Sequence, residues 1–360
     1  MPNDSGSAPA PASHAAPYAD LTPDAVLNAI DAIGRQAGDH GGLLTTGTLL
    51  ALNSYENRVF QVGVESLDAT DASGFLIAKF YRPGRWTDAQ IEEEHAFIAE
   101  LAAAEVPAVP ARVIDGRTLH HVDGHRVALF ERRGGRAPNL DDDEVLEWIG
   151  RFIGRIHAIG STRAFAARPA LDIDSFGTEP RRWLLDHEWV PLELRSAYAA
   201  VTEQALDAVR AAFERLGALA PLRLHGDAHE GNVLWRDSQT SGLKQSGPHF
   251  VDFDDSRMGP AVQDLWMLLG GREEAPHRLK ALLAGYEEFR EFDDRELALI
   301  EPLRTLRLMH YSAWIARRWT DPAFPAAFPF FDTPRYWEAR ILELREQVAA
   351  MAEPAVRPAR

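Results

Sequence analysis

The chain has 360 residues, 46% hydrophobic and 26% charged, which is enough apolar material for a sizeable core and about two domains. Its formal charge of −16, from 54 acidic and 38 basic residues, argues against nucleic acid as a main partner, because phosphate backbones are held by clustered Lys and Arg. A small basic cleft inside an acidic protein is compatible with that balance. The absence of cysteine removes disulfides, thiolate catalysis and Cys-based metal sites, and suits a reducing cytosol. No apolar run approaches the roughly 18 residues of a membrane span, so a cytoplasmic protein with no membrane partner is expected.

Residues 1–20 are rich in Ala, Pro and Ser, without the basic start or apolar stretch of a signal peptide, and read as a flexible tail. Thr22-Pro23-Asp24 then opens a helix, with Thr22 as N-cap, Pro23 at the first helical position, and Leu27, Ile30 and Ile33 at helical spacing. Gly41-Gly42 ends it. Strands are expected over 43–50, after a turn from Asn53 to Arg58, and over 75–81, giving an antiparallel sheet. Lys79 is the one charge in the last of these apolar runs. A buried strand lysine is costly unless paired, whereas an edge-strand lysine faces solvent. The paired reading has its ammonium on nucleotide phosphates with a carboxylate of the next helix beside it.

That helix is expected over 87–104, with Thr87 and Gln90 as a capping box. Ile91, His95, Ile98 and Leu101 form its inner stripe. Glu94 adjoins the stripe and is the expected partner of Lys79; Glu93 is the second choice and Glu92 belongs to the solvated face. Residues 106–110 are extended around two prolines. Two further strands are expected over 111–114 and 126–130. Residues 131–136 cross into a helical region, and their backbone groups can receive an adenine ring. Helices are expected over 141–159, 183–189 and 194–216. His157, on the inner face of the first, reads as a satisfied core histidine.

Residues 222–255 carry the chemistry. Leu224-His225-Gly226-Asp227 leads to Asn232, then to apolar runs at 233–235 and 250–253 around a polar loop, a β-hairpin pattern. Asp227, an amide five residues on at Asn232, and Asp252 beyond the hairpin can converge on one point. This is the spacing of a base for an acceptor hydroxyl with two oxygen ligands for Mg²⁺ on nucleotide phosphates. Taken singly, these are ordinary turn residues. A metal hydrolase with His225, Asp227 and His229 as ligands is a third reading. Helices over 261–269, which includes Asp264, 278–289 and 295–319 follow. The last carries Tyr311, Trp314 and Trp319 as core or groove lining.

With Lys79, Glu94, Asp227, Asn232 and Asp252 in order, the chain resembles the kinase-like phosphotransferases. It is most similar to the stress response kinase A family of bacterial serine/threonine kinases, also called RdoA or YihE. The runs that carry this are Leu52-Asn53-Ser54-Tyr55-Glu56-Asn57-Arg58-Val59, Arg85-Trp86-Thr87, Gly259-Pro260-Ala261-Val262-Gln263-Asp264 and Arg317-Arg318-Trp319-Thr320-Asp321-Pro322-Ala323-Phe324-Pro325. The resemblance implies an α+β, bilobal protein-kinase-like fold, with a β-rich nucleotide-binding N-lobe over 21–130 and a helical C-lobe over 131–360. It implies ATP and Mg²⁺, with Asp227 as the base and Asn232 and Asp252 as metal ligands. Asp252 is also counted catalytic. Lys79 and Ser54 would contact the nucleotide, Glu94 would pair with Lys79, and Asp264 would brace the catalytic loop. Expected partners are proteins with Ser or Thr acceptors, this chain itself among them by autophosphorylation, acted on by a monomer in a stress response. A small-molecule kinase of the same fold, and a nucleotide sensor without turnover, are the alternatives.

Overall fold

The computed structural model describes residues 17–36, 43–65, 74–236 and 247–359. The expected tail up to residue 16 and most of the polar hairpin loop, 237–246, lie outside the described residues.

Helix α1, Pro23–Gln36, starts where Thr22 Oγ1 accepts from the Ala25 N–H, and it buries Val26, Ile30 and Ile33 against a sheet. Among the described residues that sheet has five antiparallel strands: β1 Leu44–Ala51, β2 Arg58–Glu65, β3 Phe75–Phe80, β4 His120–Val122 and β5 His125–Glu131, in the order β1-β2-β3-β5-β4. Strand β3 is central, so Lys79 lies between Val59 and Ala128. The edge-strand reading of this lysine therefore fails. Helix α2, Asp88–Ala103, carries the expected Thr87–Gln90 capping box and buries Ile91, His95, Ile98 and Leu101, while Glu92 is exposed. The strand expected over 111–114 makes only isolated bridges, from Ala111 to Phe130 and Ile114 to Arg117; β4 takes its place in the sheet nine residues on from Ala111. Two prolines just upstream and a turn at Gly116 leave that segment little regular ladder to join.

Helices dominate beyond β5: α3 Asp143–Gly160, α4 Glu179–Asp186, α5 Leu192–Leu216, α6 Ala275–Tyr286, α7 Ile300–Arg317, the short α8 Ala323–Ala327 and α9 Pro334–Met351. This is the α+β, two-lobed arrangement. The expected helix over 261–269 is two 3₁₀ turns, Ala261–Asp264 and Trp266–Leu268; its backbone bonds run three residues back, the Val262 N–H is taken by Glu296, and the Asp264 and Gln263 side chains bind the 225–226 backbone. Two small β-pairs complete the C-lobe: β6 Leu222–Leu224 with β9 Arg257–Gly259, and β7 Val233–Arg236 with β8 Gly247–Phe250. Among the described residues no helix is long and apolar enough to cross a membrane.

Helices α3 and α6 cross at backbone contact. A Cβ on Gly150 would lie 2.0 Å from the Leu282 carbonyl oxygen, and one on Gly285 2.0 Å from that of Glu147. Gly150→Ala is therefore expected to cost about 1–3 kcal/mol through overpacking, read as a lower midpoint in urea unfolding; an unchanged midpoint would show that the helices can part.

Candidate active site

Strands β6 and β9 hold the two ends of a loop that descends from Leu224. Gly226 sits there at φ +88°, and a Cβ on it would meet the Asp255 carbonyl oxygen at 2.1 Å, so the turn admits only glycine. Buried Asp264 accepts the N–H groups of both His225 and Gly226 at 2.8 Å. His157 bridges Asp264, at 3.0 Å, and the Tyr286 hydroxyl, also at 3.0 Å. It is the satisfied core histidine that its helix face suggested. The His225 ring meets the Val251 carbonyl through Nε2 at 2.9 Å and the Asp227 N–H through Nδ1 at 3.3 Å. With both ring nitrogens engaged in the loop, the hydrolase reading loses its first metal ligand.

The loop presents Asp227. Its Oδ1 accepts from Arg307 Nη1 at 2.6 Å and its Oδ2 lies 3.5 Å from His229 Nε2. Burial pushes this carboxyl up, but the His229 hydrogen bond and the Arg307 guanidinium outweigh it and hold the carboxyl below its ordinary value. Asn232 Nδ2 donates to the Asp227 backbone carbonyl at 3.0 Å. That commits its nitrogen and leaves the amide oxygen as the donor a metal can use. Strand β8 ends at Phe250, not at the expected 253. Residue 252 then turns into the left-handed region at φ +58°, and Phe253–Asp255 forms a 3₁₀ turn. The Asp252 side chain is 53% exposed.

Lys79 reaches toward this turn from β3. Its Nζ lies 3.0 Å from Asp254, 3.3 Å from Asp252 and 3.9 Å from Glu94. Burial alone would lower the ammonium, but Asp254, Glu94 and Asp252 together hold it well above its ordinary value. Glu94 is buried and also meets Arg168 at 3.3 Å; burial drives its carboxyl up to about 7 against both cations. Glu93 does a different job: it accepts the backbone N–H groups of Ala166, Ala167 and Arg168. The choice between the two glutamates thus falls to Glu94. Ser54, Lys79, Glu94, Asp227, Asn232 and Asp252 all line one cavity of about 700 Å³ between the lobes. Val59, Ile77, Phe130 and Leu234 add apolar wall, and Glu131 and Arg133 stand at the crossing between lobes.

Several residues of this site escaped the sequence reading. Asp254, four residues past Phe250, is buried and binds Lys79, Arg85 and Asn57 Nδ2, the last at 3.2 Å. Asp255 takes Arg85 at 2.9 Å and Arg257 at 2.7 Å. Arg307 shares a face of α7 with Tyr311 and Trp314, so the aromatic stripe did point to it. Arg168 has no local signal; it lies in a loop 74 positions from Glu94.

The two most distinctive runs of the sequence meet. Glu56 accepts from Trp314 Nε1 and pairs with Arg318 at 2.7 Å. Buried Asp321 takes Arg58 through both oxygens, at 2.8 and 2.9 Å, and Arg82 at 2.9 Å. The loop that carries Ser54 is thereby fastened to the helical lobe.

A cavity between a β-rich lobe and a helical lobe, with a paired strand lysine facing an Asp–Asn–Asp set, defines a kinase-like phosphotransferase. The chain belongs to the phosphotransferase enzyme family, whose model matches residues 48–300. Within it, the chain is 42% identical over 335 residues to stress response kinase A of Escherichia coli, covering 93% of this chain and 94% of that one. It is also 42% identical over 314 residues to the serine/threonine protein kinase RdoA of Salmonella typhimurium, covering 87% and 90%. These relatives place it with the stress response kinase A group, and it is a kinase. Among solved structures, the fold matches an amicoumacin kinase in complex with AMP-PNP and Ca²⁺ (TM-score 0.65, 18% identity, 88% of this chain and 91% of that one). It matches a microcompartment-associated aminopropanol kinase equally well (TM-score 0.65, 22% identity, 91% and 98%).

Proposed function

We propose that this kinase transfers the γ-phosphoryl group of ATP, with Mg²⁺, to serine or threonine hydroxyls of proteins in a stress response. The observation that carries the chemistry is the convergence of Lys79, Asp227, Asn232 and Asp252 on one cavity. The protein acceptor and the stress role rest on the relatives named above.

The donor set fits a hard cation: an amide oxygen at Asn232 and a half-exposed carboxylate at Asp252 are oxygen ligands of the kind Mg²⁺ takes. When bound, the ion neutralises charge on the phosphate oxygens. Lys79 supplies a fixed ammonium to those oxygens, and Glu94 and Asp254 keep it aimed. Ser54 and its loop cover the phosphates, while Val59, Ile77, Phe130 and Leu234 offer the adenine an apolar slot. In the transfer step the acceptor oxygen bonds to the γ-phosphorus and the bond from phosphorus to the ADP oxygen breaks. Asp227 orients the hydroxyl and receives its proton. Catalysis is then chiefly positioning and charge neutralisation.

Incubation of the purified protein with labelled ATP and a cell extract, beside an Asp227→Asn control, tests this reading. Label is expected on Ser or Thr of proteins, this chain included, only with the active form. Label on small amino alcohols and on no protein would refute the protein acceptor. The fastening of the Ser54 loop gives a second expected outcome. Asp321 is not among the residues that line the cavity, but it is buried between Arg58 and Arg82. Asp321→Asn is therefore expected to lower the urea midpoint and, in the protein that remains folded, to raise KM for ATP about tenfold while kcat changes less. Equal losses in both constants would show that the contact does more than position the nucleotide loop.

A further inference from the structure

On the reading that the acceptor is a protein hydroxyl, we propose that its segment is acidic, and that Arg307, Arg304 and Arg340 read the carboxylates flanking the acceptor.

The chain as a whole carries −16, yet three arginines gather on the face beside the base. Arg307 stands directly on Asp227 with its side chain 41% exposed, so an incoming acceptor meets this guanidinium first. From there a second groove of about 440 Å³ runs off the catalytic cavity and shares Arg307 and Tyr311 with it. Arg304 and Arg340 line that groove, with Glu343 as the one lining carboxylate. Each of the three guanidinium groups has one carboxylate beside it, but Arg307 and Arg304 keep 41% and 30% of their side chains exposed to an incoming segment. Both further arginines are held in place by aromatic rings: Arg304 over Trp266 at 5.5 Å, and Arg340 over Tyr336 at 5.2 Å. Their present ion partners differ in strength and exposure. Glu301 lies 3.6 Å from Arg304, and Glu343, which pairs with Arg340 at 2.7 Å, is itself 47% exposed.

Three of the acids that line the cavity around the base are not free to receive a cationic acceptor. Asp254 and Asp255 are already taken by Lys79, Arg85 and Arg257, and Glu56 by Arg318. A positively charged acceptor would meet Arg307 without compensation. An acidic segment would complement Arg307 and extend along the groove past Arg304 and Arg340. Arginine is suited to this because its planar fork matches a carboxylate.

The test uses peptides with one serine flanked on either side by Glu, Ala or Lys. kcat/KM is measured for the full-length wild type and for Arg304→Glu. Glu-flanked peptides are expected to exceed Lys-flanked ones on the order of tenfold, and rising salt should shrink the ratio. Arg304→Glu is expected to erase or invert it. Arg340→Gln is a second variant, expected to reduce the ratio; should that buried change unfold the protein, the half-buried Arg304 still decides. A flat ratio, a preference for Lys, or a ratio untouched by Arg304→Glu overturns the inference and leaves the protein-kinase reading standing. Labelling of small alcohols with no labelled peptide overturns both.

Discussion

Asp227→Asn is expected to lower phosphoryl transfer by about 10²–10⁴-fold, the range of a lost general base, while nucleotide still binds. The amide keeps the size of the carboxylate and can still accept from Arg307, so the loop around Gly226 and Asp264 has no reason to move. What vanishes is the proton acceptor and its charge. Single-turnover rates beside nucleotide titration separate the two effects. Full turnover in the variant would remove Asp227 from the chemistry; lost nucleotide binding would mean that its charge holds the metal site together. The pH dependence carries its own sign. Because His229 and Arg307 hold Asp227 below its ordinary carboxylate value, it is ionised throughout the neutral range. Its contribution should therefore stay constant from about pH 8 to about pH 6 and fade only as protonation begins in the acid range.

Local chemistry was legible where the sequence alone decided it. Thr22 and Thr87 cap their helices because a side-chain oxygen three residues upstream of a free N–H is a local arrangement. The hairpin and the crowding of Asp227, Asn232 and Asp252 around it were legible for the same reason: two paired strands within 26 positions of chain leave few other geometries. Lys79 and Glu94 were legible as a pair because a charge in an apolar run needs a partner, and α2 follows directly. The structure replaces local logic where long-range partners compete. Residues 261–264 form a 3₁₀ turn whose Asp264 and Gln263 side chains bind the 225–226 backbone some 38 positions away and whose Val262 N–H is taken by Glu296, contacts that no local pattern announces. Asp254 is indistinguishable in sequence from its neighbours Asp252 and Asp255. Only the fold, by bringing Arg85 and Lys79 onto it, makes it the buried member of the three. The meeting of Glu56 and Arg58 with Arg318 and Asp321 likewise spans more than 260 positions. Each run was distinctive alone, but nothing local says that they touch.

Asp252 and Asp254 supply the sharpest contrast, because two aspartates two positions apart should fail in opposite ways. Asp252 is half-exposed, faces the cavity and contacts only Lys79 among the ion pairs of the site. It sits at φ +58°, where Asn is among the few tolerated residues, so Asp252→Asn avoids the strain that Ala would add. The variant is expected to stay folded and to lose roughly 100-fold in Mg²⁺–nucleotide affinity, with no gain from added Mg²⁺. Asp254 is 3% exposed and counters both Lys79 and Arg85. Those cations, with Arg168 beside them, hold its own carboxyl far below the ordinary range despite burial and the neighbouring Asp255 carboxylate. Asp254→Asn leaves two buried cations short of a counter-charge, a defect that costs about 3–5 kcal/mol. It should appear as a lower midpoint in urea unfolding before any nucleotide is added. The Asp254 pairing is a depressed-pKa one, so its stabilising contribution is complete above the unfolded carboxylate pKa and is lost as pH falls through the folded value. The wild type should therefore lose stability toward acid more steeply than Asp254→Asn does. If instead Asp252→Asn melts like Asp254→Asn, the Asp252 carboxylate is a structural partner of Lys79, and the metal must be held elsewhere on the cavity wall.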